Sequence, residues 1–506
     1  MTEYPDPNLM EDRAALIDYN DKMVVFRGFL NKHINLWRIV AATGLIIATT
    51  FCLSAPAHMF EPDDWAYYYA VQNFAQGKLV VSDAIHSIQS SAAGAEGGQL
   101  FQYVNIGNGK WALEKAPGYP IYEIPFQVLG IPRWGNVLLA LGMVVATYTL
   151  LKRLRDEKAA CIGSLLMLFT PVSLVMLNRS YMDSFAAGAF LALGGALYIC
   201  WLLERGQRRR RASAVVLFFA FLLIAWSVVT RYTNVTVAVI FALHFAAMEI
   251  HAIFKKQDKR GLIEVAAGVF GVAIPLAFLL IYNKFVFGSP FDYGYQYTQG
   301  DISFAFQHIG SSTQAGQSVF WNIIKTNLRI APHALLTGFP LLFVAVPGLA
   351  IAAWSALRRR RDSWSNLSTP LTWDILLLLF GWFAGVFVLY VAYEWTANMQ
   401  MDTRPFMVMA RFYLPGLFPL AVISALLLSK IPTKLALGAA AVAAVAGSVI
   451  FFQSLHNQQG TPGEGINRPP NGANAPPIGN RPTGLPPNLP QGNPTRFPPT
   501  RQPPGT

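Results

Sequence analysis

Glu61-Pro62-Asp63-Asp64-Trp65-Ala66-Tyr67-Tyr68-Tyr69 places two adjacent carboxylates just after the first long apolar stretch of the chain and just before a run of aromatic rings. If that apolar stretch is a membrane helix, the acids stand where it emerges into the aqueous boundary and the rings lie at headgroup depth. Charge is costly near a bilayer, so a carboxylate pair there reads as a functional site. It also has a plain reading, with Asp63 as the N-cap and Asp64 in the first turn of a surface helix ending near Gly77. The surrounding chain decides between them.

Working outward, the composition is that of a polytopic membrane protein. Of 506 residues 53% are hydrophobic and 13% charged, about half the charged share of a soluble domain. Apolar stretches long enough to span hydrocarbon recur near 37–57, 134–151, 159–177, 181–203, 213–230, 234–254, 262–282, 333–357, 373–393, 411–429 and 433–453, about eleven helices. The net charge of +12 is not a nucleic-acid signature, because the basic residues fall in short clusters between these stretches. Lys152-Arg153-Leu154-Arg155, Arg208 to Arg211, Lys255-Lys256 with Lys259-Arg260, Arg358 to Arg361, and Lys430 with Lys434 alternate with loops poor in Lys and Arg. By the positive-inside rule the basic set is cytoplasmic. Both long loops, 57–133 and 283–331, are then outside, and Asp63 and Asp64 with them.

The expected organisation is an all-α transmembrane domain over 37–453. A cytoplasmic arm precedes it at 1–36, and an extracytoplasmic tail follows at 454–506. The arm is polar and of mixed charge, unlike a cleavable signal peptide. The tail, with Pro469-Pro470, Pro476-Pro477, Pro486-Pro487 and Pro498-Pro499, reads as disordered. Cys52, Cys161 and Cys200 fall inside apolar stretches at unrelated spacings and read as small packing residues.

Further polar groups face the same side. Glu114-Lys115-Ala116-Pro117-Gly118-Tyr119-Pro120 lies late in the first outer loop, and Arg179 and Asp183 flank the outer start of a span. Four apart, these two would pair along one helical face. Arg231 and Arg411 stand at predicted outer span ends, either as phosphate contacts or as interface anchors. The second outer loop mixes Tyr293, Tyr295, Tyr297, Phe304, Phe306 and Trp321 with Gly and Ser, which suits a membrane belt or the stacking of sugar rings.

In order and sidedness this set resembles the C-type glycosyltransferases (GT-C fold), in particular the family 39 group of protein O-mannosyltransferases and lipid A aminoarabinose transferases. Pro62-Asp63-Asp64 with Tyr68-Tyr69 is similar to that group's Pro-Asp-Glu and Tyr-Tyr, and Glu114-Lys115 with Pro117-Gly118-Tyr119-Pro120 to its Glu-Lys-Pro-Pro and Pro-Gly-Tyr-Pro. Thr230-Arg231-Tyr232, Tyr282-Asn283-Lys284-Phe285, Phe287-Gly288-Ser289-Pro290 and Arg411-Phe412-Tyr413-Leu414-Pro415 extend the likeness over most of the chain. Asp64 stands where that group has Glu, and Ala116 where it has Pro.

The resemblance implies a GT-C-like bundle whose large first outer loop carries juxtamembrane helices. It implies an integral plasma-membrane enzyme that moves a sugar from a polyprenyl-phosphate donor to a hydroxyl of a protein, lipid or glycan on the outer face. Asp63 would be the base and Asp64 would orient sugar or acceptor. Lys115 would hold the donor phosphate with Glu114 beside it, Asp183 a sugar hydroxyl, and Arg231 and Arg411 the phosphate. No cofactor is implied with certainty. No His or Cys cluster offers metal ligands, and a divalent cation is expected only if Asp63, Asp64 and Glu114 fold together. A transporter or flippase of a lipid-linked substrate is the alternative, but it predicts repeated halves that the sequence does not show.

Overall fold

In the computed structural model, the described residues are 36–54, 62–93, 102–204, 210–256, 260–297, 303–312, 316–342, 344–348, 373–398 and 410–458. The N-terminal arm expected over 1–36, apart from Leu36, and the tail beyond Gln458 lie outside them.

Apolar segments bounded by polar breaks become helices nearly where expected. They are α1 (Leu36–Ser54), α5 (Arg133–Leu154), α6 (Glu157–Phe169) with α7 (Pro171–Asn178), α8 (Asp183–Glu204), α9 (Arg210–Thr230), α10 (Val235–Lys256) and α11 (Arg260–Phe287). After α12 (Val319–Gly338) come α13 (Trp373–Val391), a short α14 (Glu394–Asn398), α15 (Leu417–Leu428), which continues a 3-10 turn at Arg411–Gly416, and α16 (Thr433–Gln458). Among the described residues nine helices are long and apolar enough to span a membrane, and α6 with α7 forms one further broken span bent by 58°. The remaining expected span, 333–357, falls partly outside the described residues. Its first residues belong instead to α12, which starts at Ser318, whose hydroxyl accepts from the Trp321 N–H, and stops at Gly338 before Phe339-Pro340. The tail expected from Ser454 also starts later, because α16 runs on to Gln458.

The bundle is layered by burial. The spans over Asp183–Glu204 and Arg411–Leu428 have 78% and 83% of their apolar windows buried, whereas α1, α11 and α16 have 22% and face outward with side chains such as Ile46, Phe270 and Val442. The site ends of the two central spans carry Asp183 and Arg411. At the opposite end Arg38, Lys152 and Tyr148 converge on Glu157, and Arg153 pairs with Glu204. Lys158 donates to Ser429 O at this same end, so the basic 152–155 loop and the turn at Lys430 lie together, away from the motif acids.

The first outer loop folds as a cap. Its described residues carry the helices α2 (Pro62–Ala75), α3 (Asp83–Ala92) and α4 (Gly118–Val128), and also a small sheet that was not expected. Strands β1 (Val80–Ser82), β2 (Tyr103–Gly107) and β3 (Lys110–Leu113) form an antiparallel sheet in the order β1-β3-β2, with Val81 opposite Trp111 and Val104 opposite Ala112. The β2–β3 turn places Asn108 (φ 54°) and Gly109 (φ 67°) in the left-handed region, the tight-hairpin geometry that an Asn-Gly pair favours. The hairpin matters because Glu114 and Lys115 leave its last strand directly into the site.

Candidate active site

Pro62 opens α2, so both acids fall in its first turn and neither is the N-cap; proline suits the first helical position because its missing N–H has no partner there anyway. Successive positions on a helix point about a quarter turn apart, and the two carboxylates accordingly meet different cations. Asp64, 1% exposed, is gripped by Arg179 through two parallel hydrogen bonds, Nε to Oδ1 at 3.2 Å and Nη2 to Oδ2. Asp63 accepts from Arg411 Nη2 at 2.9 Å through Oδ2. Its Oδ1 lies 3.9 Å from Lys115 Nζ and is buried, with no hydrogen-bond donor among the described residues.

The other cations are brought in on breaks in regular structure. Lys115 follows β3, with Glu114 Oε1 3.7 Å from its Nζ, and its ammonium lies 4.8 Å from the centre of the Tyr295 ring. Arg231, between α9 and a one-turn 3-10 helix, reaches Ser184 Oγ at 2.5 Å and Asp183 Oδ1 at 3.5 Å. Arg231 and Arg411 each place the guanidinium carbon 5.2 Å from the centre of the Phe412 ring, one ring serving two cations. Arg179 stands on the unwound link between α7 and α8. That link's carbonyls are satisfied by Asn136, which donates to Leu177 O and Arg179 O, and by Tyr119, which donates to Ser180 O. An irregular backbone beside a membrane persists only when its polar groups are paired within the protein.

The expected Arg179–Asp183 pair on one helical face is therefore corrected. Arg179 is the extended cap of α7 and Asp183 opens α8, so no helix joins them. Arg179 serves Asp64 and Asp183 serves Arg231. All seven residues singled out in the sequence come together: Asp63, Asp64, Glu114, Lys115, Asp183, Arg231 and Arg411. Reading by residue missed Ser184, the pairing role of Arg179, and the contact that brings Gly294 and Tyr295 onto Glu114 and Lys115. A Cβ at Gly294 would sit 2.3 Å from Glu114 O and 2.4 Å from its Cα, so the 294 turn closes directly over the Glu114 backbone. No sequence periodicity signals that contact.

Electrostatics follow the geometry. Burial pushes the Asp63 carboxyl up, yet the charges of Lys115, Arg411, Arg231 and Arg179 outweigh it and hold the group below the usual carboxylate range. Burial would discharge Lys115, but Tyr295, Asp63 and Glu114 keep it cationic, well above its ordinary value. The Tyr295 hydroxyl is pushed up to about 12 by burial and stays protonated. Glu114 and Asp63 each face Lys115, and Asp64 faces Arg179. Among the described residues no group of three or more His, Cys, Asp and Glu is placed to hold a metal.

The fold is similar to that of the oligosaccharyltransferase of Archaeoglobus fulgidus in its apo form, with a TM-score of 0.50 at 12% identity over 84% of this chain and 55% of that one. ArnT from Cupriavidus metallidurans bound to undecaprenyl phosphate is similar at a TM-score of 0.46 and 12% identity, over 84% of this chain and 71% of its own. Archaeal AglB from Archaeoglobus fulgidus, in complex with an inhibitory peptide and a dolichol-phosphate, gives a TM-score of 0.46 at 12% identity, over 85% and 56% of the two chains. The first likeness shows the GT-C-like fold that the motifs implied. The chain spans little more than half the length of the oligosaccharyltransferase. No protein-family model matches it, and no curated protein sequence does.

Proposed function

We propose that the protein is a glycosyltransferase of the membrane's outer face. It transfers a sugar from a polyprenyl-phosphate carrier to a hydroxyl of a protein, lipid or glycan acceptor, as an integral plasma-membrane enzyme with its N-terminus cytoplasmic. One observation carries this reading: a buried carboxylate oxygen, Asp63 Oδ1, bracketed by Lys115 and Arg411 and accepting no hydrogen bond within the described residues. A buried acceptor without a donor is costly, and an incoming hydroxyl supplies the donor.

The acceptor oxygen attacks the anomeric carbon, forming the glycosidic bond as the bond from that carbon to the phosphate oxygen breaks. The electron pair leaves with polyprenyl phosphate and the hydroxyl proton passes to Asp63. Asp63 is a weak base while Lys115 and Arg411 act on it alone. A donor phosphate seated on those cations cancels much of their charge and raises the proton affinity of Asp63 when it is needed. Asp64, its oxygens taken up by Arg179, orients the first turn of α2 and leaves proton transfer to Asp63. Arg231, anchored by Asp183 and Ser184, adds positive charge beside Phe412.

The test is polyprenyl phosphate release by purified protein supplied with a polyprenyl-phospho-sugar and acceptor. Asp63→Asn is expected to retain expression and folding and to lower turnover by about 10²- to 10⁴-fold. In wild type, kcat/KM, which reports the free enzyme, should show no acid limb above about pH 4, because Asp63 is held below the ordinary carboxylate range. Wild-type turnover by Asp63→Asn removes Asp63 from the role. Absence of polyprenyl phosphate release by wild type favours a transporter.

A further inference from the structure

An aromatic strip runs from Phe412 away from the acids. Trp395 meets Phe412 edge-on at 5.5 Å and stacks on Tyr393 at 6.2 Å and 27°. Tyr393 lies 5.4 Å from Phe304, which is parallel to Phe306 at 5.1 Å and 6°. Its near end is electrostatically joined to the site, since Lys115 and Arg231 both act on the Tyr393 hydroxyl. Both ends carry an open ring, Trp395 at 37% and Phe306 at 52% exposed.

Backbone and side-chain bonds together hold the strip, with Asn327 Nδ2 donating to Val391 O and Tyr393 O. Phe304 and Tyr393 form an antiparallel bridge, Ala305 N–H donates to Ala392 O at 2.7 Å, and Glu394 N–H donates to Ser303 O at 3.0 Å. Below it a small apolar core of Ala305, Val319, Ile323, Ala392 and Ala397 fixes the ladder to α12. The rings are thus presented on a rigid base. The next position of the ladder carries a polar group: the Glu394 carboxylate accepts from Ser303 Oγ and lies 3.0 Å from His308 Nε2.

Two surfaces could call for such rings. A belt at the headgroup layer wants amphipathic rings, but a carboxylate among them is a penalty in that setting. A pyranose has a flat C–H face and a rim of hydroxyls. The face matches a rigid ring and the rim matches a carboxylate, an imidazole and a hydroxyl at the ring's edge. Resting on the transferase reading above, we infer that Tyr393 and Trp395, with Phe304, Glu394 and His308, form the acceptor subsite, and that the acceptor is a carbohydrate. A sugar stacked there presents a hydroxyl along the strip towards Phe412 and Asp63.

The test uses full-length protein in a sugar-free amine-oxide detergent, with methyl α-mannopyranoside and maltotriose as probes, followed by saturation-transfer NMR. Wild type is expected to pass saturation to the pyranose ring protons. Trp395→Ala and Glu394→Gln should weaken the apparent affinity by about tenfold, and Trp395→Phe, which keeps a ring, by much less. A Trp395→Ala protein with wild-type melting temperature and undiminished binding overturns the proposal, as does a wild type that takes up neither probe. If wild type binds the glycosides but never turns over donor, the transferase reading falls and the carbohydrate subsite stands.

Discussion

Arg179 and Asp64 are 5% and 2% exposed at their side chains and face each other through two bonds, so removing either partner strands a buried charge. Such a loss costs about 3–5 kcal/mol, which for Arg179→Ala should show as a large drop in thermal unfolding temperature in detergent. Combining it with Asp64→Asn should recover part of that loss, since the double variant buries no unpaired charge. If the two losses simply add, the pair is not a coupled unit. The same pair shows what could and could not be read from residues. Asp63 and Asp64 stood out as charge beside a membrane, and Lys115 as a cation near proline and glycine. The choice between the two acids could not be read, because it depends on which cation each meets, and those cations lie far along the chain at 179 and 411.

At the scale of elements, the spans announced themselves through length and hydropathy, and their alternation through Lys and Arg. The sheet did not, although Tyr103-Val104-Asn105-Ile106 and Trp111-Ala112-Leu113 flank Asn108-Gly109, a hairpin signal that the long hydrophobic surroundings masked. Nor did α12, whose Ser318 cap precedes an amphipathic rather than an evenly apolar run. The packing of one element on another is the least legible feature, and Gly294 is the instance with most consequence. Alanine there would place its Cβ against the Glu114 backbone, a contact no rotamer change can relieve. Gly294→Ala should therefore push the 294 turn outward and take Tyr295 off Lys115. The expected result is a rise in the KM for donor of about tenfold, with some loss of thermal stability because Gly294 is buried against that backbone. Unchanged donor kinetics would show that the turn does not position Lys115.

For the whole molecule, the pH response is set away from the acids that do chemistry. Glu123, on α4, is fully buried against Gly135, and neither of its carboxylate oxygens has a hydrogen-bond partner among the described residues. Burial raises it to about 9, so it is neutral in the folded protein at physiological pH. Its folded value stands above the unfolded one of about 4.3. The stability it contributes is thus fully present below about pH 4.3 and is lost as pH rises through about 9. Glu123→Gln should flatten the dependence of unfolding temperature on pH between about 4.5 and 9 and be the more stable protein at the alkaline end. Parallel pH profiles for the two proteins would show that this carboxyl is paired or solvated after all. The bonds that close the charged centre carry a consequence of another kind. Asp63 is joined to Arg411 across 348 positions and Asp64 to Arg179 across 115. A growing chain therefore settles Asp64 early but leaves Asp63 without its arginine until the last pair of spans has left the ribosome. The protein acquires its working charge balance at the end of synthesis, and a half-made copy in the membrane has the scaffold of the site without its cradle.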